Sequence, residues 1–255
     1  MLHWLRLSYL TAVYFFLYFP IAVLVVCSFN TSGVSTHWDG FTWHWYQTLI
    51  DNPSLMRAGF HSLFLGVTAA TAATTLGTLA AICLYRYQFY GKKLFSLLLF
   101  ALVVSPEIVI AVGLLLLFAW SDISLGLGSL LFAHTAFCMP FVSTMIYSRL
   151  VSIDTNIIKA AKELGASEFS VFYRILLPLL RLNIISGWLL SFTLSVDDVM
   201  ISFFLSGPTF KVLPLELYEW VRLGARPEIN ALCSVLLGVT LIIIFTSQWL
   251  FKKHD

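Results

Sequence analysis

The chain has 255 residues, of which 59% are hydrophobic and 11% are charged, and its formal net charge is +2. Soluble domains carry about 25% charged residues, so this composition excludes a soluble globular protein and indicates an integral membrane protein. The small net charge gives no sign of a nucleic-acid partner, and the lipid bilayer is the first partner that we expect.

Apolar segments long enough to cross a membrane recur along the chain. A bilayer core of about 30 Å needs about 20 apolar residues in a helix. The sequence therefore predicts an all-α membrane protein with six transmembrane helices in a single domain, residues 1–255. The predicted spans are Leu7–Cys27, Ser62–Leu84, Leu94–Trp120, Leu127–Tyr147, Ile184–Leu205 and Asn230–Phe251.

Lysine and arginine are distributed unevenly between the loops, and cytoplasmic loops of membrane proteins are the ones enriched in them. If the N-terminus lies inside, the cytoplasmic set is Arg6, Arg86, Lys92, Lys93, Arg149, Lys159, Lys162, Arg174, Arg181, Lys252 and Lys253, and the outer set is Arg57, Lys211, Arg222 and Arg226. This asymmetry predicts a multi-pass protein with both termini in the cytoplasm. The first span lacks the small-residue cleavage site of a signal peptide, so we expect it to be a retained anchor.

The first outer loop, residues 30–61, is rich in aromatic side chains. Anchoring at the membrane interface is the usual role of such a cluster. An aromatic face also attracts organic cations, and Trp45 is the candidate for that contact. The second span, by contrast, is rich in glycine, alanine and threonine, which favours close helix packing over substrate contact.

The third span contains Glu107 directly after Pro106. A carboxylate at the centre of a membrane helix costs roughly 2.5–3.5 kcal/mol on insertion scales, so it tends to face a bundle interior or a water path. The proline frees a backbone carbonyl beside the carboxylate, and a cationic substrate can use both groups. The alternative is that Glu107 hydrogen-bonds a neighbouring helix and fixes its packing.

The segment from Asp154 to Pro178 is polar and helix-patterned inside this apolar chain. Asp154 or Thr155 can cap a first helix and Gly165 can end it. A second short helix from Ser167 to about Leu176 is predicted to stop before Pro178, because proline has no backbone donor. A small apolar stripe along the first helix is predicted to dock a partner, and its members are Ile157, Ala160, Ala161 and Leu164.

The fifth span carries Asp197 and Asp198, with Ser195 two residues earlier. Adjacent residues of a helix point about 100° apart, so one carboxylate is expected to line a path while the other pairs with a neighbour. Ser195 could add a hydroxyl group, and a structural role for the pair is the alternative. With Glu107 these are three acids in spans that hold no lysine or arginine, which indicates a cation pathway.

Signatures of catalysis are missing from the sequence. The only Gly-Lys pair, at Gly91, does not fit a phosphate-binding loop, and there is no nucleophile elbow or HExxH motif. The four cysteines are scattered without a CxxC pair, so we expect neither a metal site nor a disulfide. We predict no catalytic residues and no cofactor in this chain, and any ATP is hydrolysed elsewhere.

The 154–178 segment resembles the EAA loop of ABC-importer permeases. It has Lys159-Ala160-Ala161, then Gly165, then Ile175-Leu176-Leu177-Pro178, with every spacing of that motif and a lysine in place of its usual first acid. The resemblance implies a type I ABC importer permease (MetI-like) fold, in which this loop is a coupling helix seated in a separate ATPase subunit. The residues expected at that contact are Ile157, Ala160, Ala161, Glu163, Leu164, Gly165 and Glu168.

A closer resemblance, to the permease subunits of bacterial spermidine/putrescine importers, covers nearly the whole length. It is carried by GFTWHWY from Gly40, LYRYQFYGK from Leu84, SPEIVIA from Ser105, FCMPFV from Phe137, AAKELGASEF from Ala160, GWLLSFTLSVDDV from Gly187 and PEINAL from Pro227. It implies a bacterial inner-membrane complex with a second homologous permease subunit, a dimer of ATPase subunits that bind ATP and magnesium, and a periplasmic polyamine-binding protein. A polyamine is then the expected substrate.

Two other functions remain open at the level of sequence. The first is an importer for another substrate, such as ferric iron, thiamine or a phosphonate, on the same permease; intramembrane acids argue against an anionic substrate. The second is an ATP-independent secondary transporter, which would need no docking loop and for which no internal inverted repeat is found.

Overall fold

The computed structural model describes residues 2–32, 37–224 and 227–252. Within these ranges the regular structure is helical apart from two isolated β-bridges. The all-α prediction is confirmed, as expected for apolar segments that must satisfy their backbone hydrogen bonds internally in lipid. The helices are α1 (Leu2–Cys27), α2 (His44–Ile50), α3 (Pro53–Arg86), α4 (Lys92–Val104), α5 (Glu107–Trp120), α6 (Leu127–Val151), α7 (Thr155–Glu163), α8 (Glu168–Val171), α9 (Leu177–Asp197), α10 (Met200–Leu205), α11 (Leu213–Leu223) and α12 (Pro227–Lys252).

Among the described residues, four helices are long and apolar enough to cross a membrane, and the α4–α5 pair makes a fifth span if its two helices are counted together. The sixth predicted span, Asn230–Phe251, lies in α12, where the apolar stretch Pro227–Ile242 is shorter than these four. Arg226 and Lys253, two of the residues used to orient the chain, lie outside the described residues. The four long helices are Arg6–Cys27, Pro53–Arg86, Leu127–Val151 and Glu168–Asp197.

The chain divides into two compact units, one made of Met1–Arg57 with Glu216–Asp255 and the other of Ala58–Leu215. In the first unit, α12 packs against α1 and α2. In the second, α6 packs along α9 and also contacts α4, α5 and α10. The second unit therefore contains both the predicted pathway acids and the coupling loop, which we define as residues 154–178.

Small residues let α3 approach its neighbours closely in the second unit. A Cβ atom added at Gly77 would lie 2.8 Å from the carbonyl oxygen of Met139 and 2.8 Å from the Cβ atom of Val142 on α6. One added at Gly66 would lie 2.7 Å from a methyl group of Val196 on α9. The predicted role of this small-residue span in helix packing is thus confirmed at both glycines.

The third predicted span is interrupted at what we call the first break, Ser105–Pro106. Ser105 is extended, with φ −69° and ψ 136°, and the axes of α4 and α5 differ by 117°. Proline disfavours helical geometry at the preceding residue and has no N–H group to donate, so the helix ends there. Glu107 is consequently the first residue of a new helix. The backbone N–H groups in this first turn have no acceptor within the helix.

The predicted stop before Pro178 is wrong, because one helix runs from Glu168 through Asp197. Residues Phe172–Leu176 form a π-helical turn that leads directly into α9, with Pro178 in its first turn. The wider π turn shifts the backbone register ahead of the proline, so its missing N–H group and its ring are accommodated without ending the helix.

The expectation that Asp197 and Asp198 share one helix is also wrong. Helix α9 ends at Asp197, Asp198 is extended with φ −69° and ψ 125°, and α10 begins at Met200. We call this interruption, residues 197–200, the second break. The predicted span Ile184–Leu205 is therefore the end of α9 followed by the short helix α10, which packs against α5 and α6.

Candidate functional site

The two aspartates of the second break have opposite surroundings. Asp197 is exposed, whereas Asp198 is only 5% exposed. The Asp198 carboxylate accepts hydrogen bonds from the backbone N–H groups of Ile201 at 3.1 Å and Ser202 at 2.8 Å. It thus satisfies donors at the start of α10 that have no partner within that helix.

His134, a fully buried residue of α6, lies beside this carboxylate. Its Nδ1 atom is 2.8 Å from the hydroxyl of Ser195, and its Nε2 atom is 3.3 Å from the hydroxyl of Ser202. The distance from Nε2 to a carboxylate oxygen of Asp198 is 3.6 Å. Ser195 is therefore engaged with His134 in the interior, rather than presenting its hydroxyl at the surface of the chain.

The sequence pattern did not single out His134. The signal was nevertheless present, because a histidine inside an apolar span is costly unless it has polar partners. Those partners are 61 and 68 residues away along the chain, so only the folded arrangement identifies them.

Glu107 lies on the exposed side of the first break. Glu107 is the first residue of α5, and α5 packs against α10, the helix that begins directly after the second break. The packing of α5 on α10 therefore places the three acids, which the sequence singled out in separate spans, at two neighbouring breaks of the same unit. Clustered carboxylates of like charge repel one another, and a multivalent cation relieves that repulsion.

Trp45 belongs to the other unit, where it is half-buried. Its indole N–H group donates to the backbone carbonyl of Asn30 at 2.7 Å. Nearby, the ring of Phe29 contacts those of Phe41, Trp43 and Tyr46, at centroid distances of 4.9–5.2 Å. The predicted cation contact of Trp45 stays a prediction.

The coupling loop has the predicted order of helix, glycine bend and second helix. Only the predicted end of the second helix differs. The Asp154 side chain accepts from the backbone N–H of Asn156 at 2.9 Å and caps α7. Gly165 then turns the chain with φ +82°, a left-handed conformation that favours glycine. Ser167 caps α8 by accepting from the backbone N–H of Ser170 at 3.3 Å. Local sequence signals therefore determine the shape of this loop.

The predicted docking stripe is split between two faces of α7. Ile158 and Ala161 are partly buried and pack on the core formed by α3, α6 and α9. Ile157 and Ala160 are exposed, and Leu164 is 88% exposed. The outward face thus presents apolar groups to a partner, while Ala161 holds the helix to the rest of the unit.

Glu168 joins the coupling loop to the end of α3. One carboxylate oxygen accepts from the guanidinium of Arg86, and the other is 2.6 Å from the ammonium group of Lys162. Two basic side chains, those of Arg86 and Lys162, thus pair with the carboxylate of Glu168. Glu163 and Gly165 remain exposed on the same loop.

Comparison with known proteins defines the class. Residues 73–254 match the family model for the binding-protein-dependent transport system inner membrane component, and the chain belongs to this family. It is therefore an inner-membrane permease, a transport subunit rather than an enzyme.

Individual relatives cover nearly the full length. The chain is 48% identical over 244 residues to the spermidine/putrescine transport system permease protein PotC of Escherichia coli strain K12, covering 96% of this chain and 92% of that protein. It is 45% identical to PotC of Haemophilus influenzae over 98% of both chains. It is 40% identical to the putrescine transport system permease protein PotI of E. coli strain K12, over 98% of this chain and 92% of that protein. The resemblance stated from the sequence is thus confirmed.

Solved structures show the same fold. A chain of a bacterial ABC transporter involved in the import of the acidic polysaccharide alginate superposes with a TM-score of 0.78 at 14% identity, covering 97% of this chain and 95% of that one. A chain of the MetNI methionine ABC transporter in an inward-facing conformation gives a TM-score of 0.64 at 18% identity, over 76% of this chain and 92% of that one. The predicted ABC importer permease fold is confirmed.

Proposed function

We propose that this chain is the permease subunit of an ATP-driven importer that moves spermidine and putrescine into the cytoplasm by alternating access. The observation that carries the proposal is the cluster of Glu107, Asp197 and Asp198 at two breaks in apolar helices, which are adjacent because α5 packs against α10. The names of the PotC and PotI relatives support the same substrate class.

The chemistry of the cluster suits a flexible polycation. Among the residues that the structure describes, no lysine or arginine forms an ion pair with Glu107 or Asp197, so both carboxylates are available to a cationic ligand. Acids spaced along a path replace the hydration of ammonium groups in turn. They also allow release, because each contact is exchanged for the next.

The coupling loop supports docking to a dimer of ATPase subunits. Its outward face presents Ile157, Ala160 and Leu164, and Gly165 supplies the bend between its helices. ATP and magnesium would bind to the ATPase subunits and drive their closure. Movement of the coupling loop would then rock the permease halves and switch access from outside to inside.

The family supports the rest of the proposed assembly. A second, homologous permease subunit would complete the path, and a periplasmic polyamine-binding protein would deliver the substrate. One structural neighbour was solved in complex with an alginate pentasaccharide-bound periplasmic protein. We place both termini of this chain in the cytoplasm of a bacterium, with the chain in the inner membrane, on the basis of its lysine and arginine distribution.

The test is uptake of labelled spermidine and putrescine by vesicles that contain the whole importer, with and without ATP. The Asp197→Asn/Asp198→Asn double variant should lose uptake of both polyamines while the complex still assembles. Asp122→Asn is the matched control, because Asp122 is an exposed acid outside the cluster, and asparagine tolerates its positive φ of 53°.

Each outcome separates the candidates. ATP-dependent uptake that is lost in the double variant and kept in the control supports the proposal. If an intact complex hydrolyses ATP but takes up no polyamine, the polyamine assignment is wrong. The substrate candidates are then ferric iron, thiamine and a phosphonate. Uptake by this chain without ATPase subunits would instead support a secondary transporter.

A further inference from the structure

Two adjacent acids at the second break differ in what they can do. The carboxylate of Asp198 is turned inward and already accepts two backbone hydrogen bonds, from Ile201 and Ser202. The side chain of Asp197, one residue earlier, is exposed. A buried acid with a fixed donor on each oxygen is a poor partner for a passing ammonium group, whereas an exposed acid is a good one.

His134 connects the two helices that the break separates. Its Nδ1 atom contacts Ser195 near the end of α9, and its Nε2 atom contacts Ser202 at the start of α10. Both serine hydroxyls can donate or accept, so either neutral tautomer of the imidazole is satisfied. One rigid ring on α6 thus fixes the two flanks of the interruption relative to each other.

A carboxylate oxygen of Asp198 lies 3.6 Å from Nε2 of the ring. The thiol of Cys138 lies one turn along α6, where it donates to the backbone carbonyl of Ser191. The side chains of His134 and Cys138 therefore link α6 to α9 and α10 through Ser195, Ser202 and the Ser191 carbonyl. If the ring were lost, Ser195 and Ser202 would each lose a partner in a buried site.

We infer that Asp197 is the acid that contacts the polyamine, and that Asp198 with His134 forms a positioning cluster that holds the second break open so that Asp197 projects from it. This inference rests on the proposed function for the identity of the ligand. The division of labour between the two acids rests on the contacts alone.

The first experiment measures access to each acid in the assembled importer. Asp197→Cys and Asp198→Cys are introduced singly after Cys27, Cys83 and Cys233 are replaced by alanine and Cys138 by serine, which keeps a donor toward the Ser191 carbonyl. Each variant is treated with 2-aminoethyl methanethiosulfonate, a small cationic thiol reagent. We expect labelling of Asp197→Cys to be at least about tenfold faster than that of Asp198→Cys, because exposed thiols react and buried ones do not. Spermidine should protect Asp197→Cys from the reagent.

The second experiment tests His134 as a positioning residue. We expect His134→Leu to change the labelling rate of Asp197→Cys about fivefold or more, because the break is no longer fixed. His134→Gln retains a polar group at the end of the side chain and should restore most of the original rate. Phe132→Leu, an exposed position of α6, is the control and should leave the rate unchanged.

The results separate the inference from the function on which it rests. Equal or reversed labelling of the two cysteines overturns the inference, even if polyamines are transported. Unchanged labelling in His134→Leu removes His134 from the positioning cluster. A third result is also informative: the two cysteines are labelled as predicted, but spermidine does not protect Asp197→Cys and the complex takes up no polyamine. This result would support the positioning cluster and overturn the polyamine assignment.

Discussion

The coupling loop and the second break are both interruptions between helices, but they are held in different ways. In the coupling loop, exposed capping groups, a glycine in the left-handed region and ion pairs of Glu168 set the shape. At the second break, buried contacts among Asp198, His134 and Ser202 set it.

This difference has an energetic consequence. Exposed caps and exposed ion pairs both compete with water. An exposed ion pair typically contributes about 0–1 kcal/mol to the stability of the folded protein. A buried polar group that loses its partner costs about 1–3 kcal/mol. Substitutions at the second break should therefore affect the protein more than substitutions in the coupling loop.

The largest effect is expected for Asp198→Ala. It leaves the N–H groups of Ile201 and Ser202 without their acceptor in a buried site, so we expect a lower unfolding temperature of the purified complex. Uptake should fall about tenfold or more, since each unsatisfied group costs about 1–3 kcal/mol. Asp197→Ala is the control, and it should lower uptake without lowering the unfolding temperature. Equal stability of the two complexes would contradict the buried role of Asp198.

The second-largest effect is expected for Arg86→Gln. The quantity measured is the number of polyamine molecules imported per ATP hydrolysed. The side chain of Arg86 is 10% exposed, whereas that of Lys162, which pairs with the same Glu168, is 49% exposed. We expect Arg86→Gln to lower the ratio several-fold and Lys162→Gln to lower it by less than about twofold, because exposed pairs contribute little. If Lys162→Gln lowered the ratio more than Arg86→Gln, burial would not determine which of the two ion pairs matters more for transport.

A smaller effect is expected for Gly165→Ala. Nothing lies within 4 Å of a Cβ atom added at this position, so the cost comes from the φ of +82° alone. Alanine at such an angle costs roughly 1–2 kcal/mol, part of which the exposed loop absorbs, and we expect about threefold less uptake. Gly165→Asn should cost less, because asparagine tolerates this conformation. Gly113→Ala, at a helical glycine with equal space, is the control.

The smallest effect is expected for Asp154→Ala, which removes the cap of α7. Loss of an N-cap costs typically about 1 kcal/mol, but Ile158 and Ala161 still pack on the core, so uptake should fall by less than about twofold. Asp154→Ser keeps a capping oxygen and should behave as the unchanged protein. A loss of uptake as large as that of Asp198→Ala would remove the distinction between the two regions.

The coupling loop was predictable because its signals are local. Asp154, Gly165 and Ser167 each act on backbone groups within three residues or through their own φ angle. The exception is Pro178, where sequence predicted a stop. The π turn that accommodates this proline depends on how the helix packs, through Val171 and Leu176, against the core of the unit.

The second break was only partly predictable. Acidic residues in an apolar span are energetically costly, and this cost identified Asp197 and Asp198 as candidates. Because the cost is the same for both residues, it could not distinguish their roles. Their separation depends on contacts with His134, which lies on a different helix.

By itself, the sequence determined the membrane class, the position of the coupling loop and the presence of three acids in apolar spans, because composition, periodicity and turn chemistry act over short distances. Only the tertiary structure decided the 117° bend before Glu107, the continuous helix through Pro178 and the burial of Asp198 beside His134. These features depend on packing between helices that are far apart in the chain. A buried polar group is stable only where such distant partners meet it.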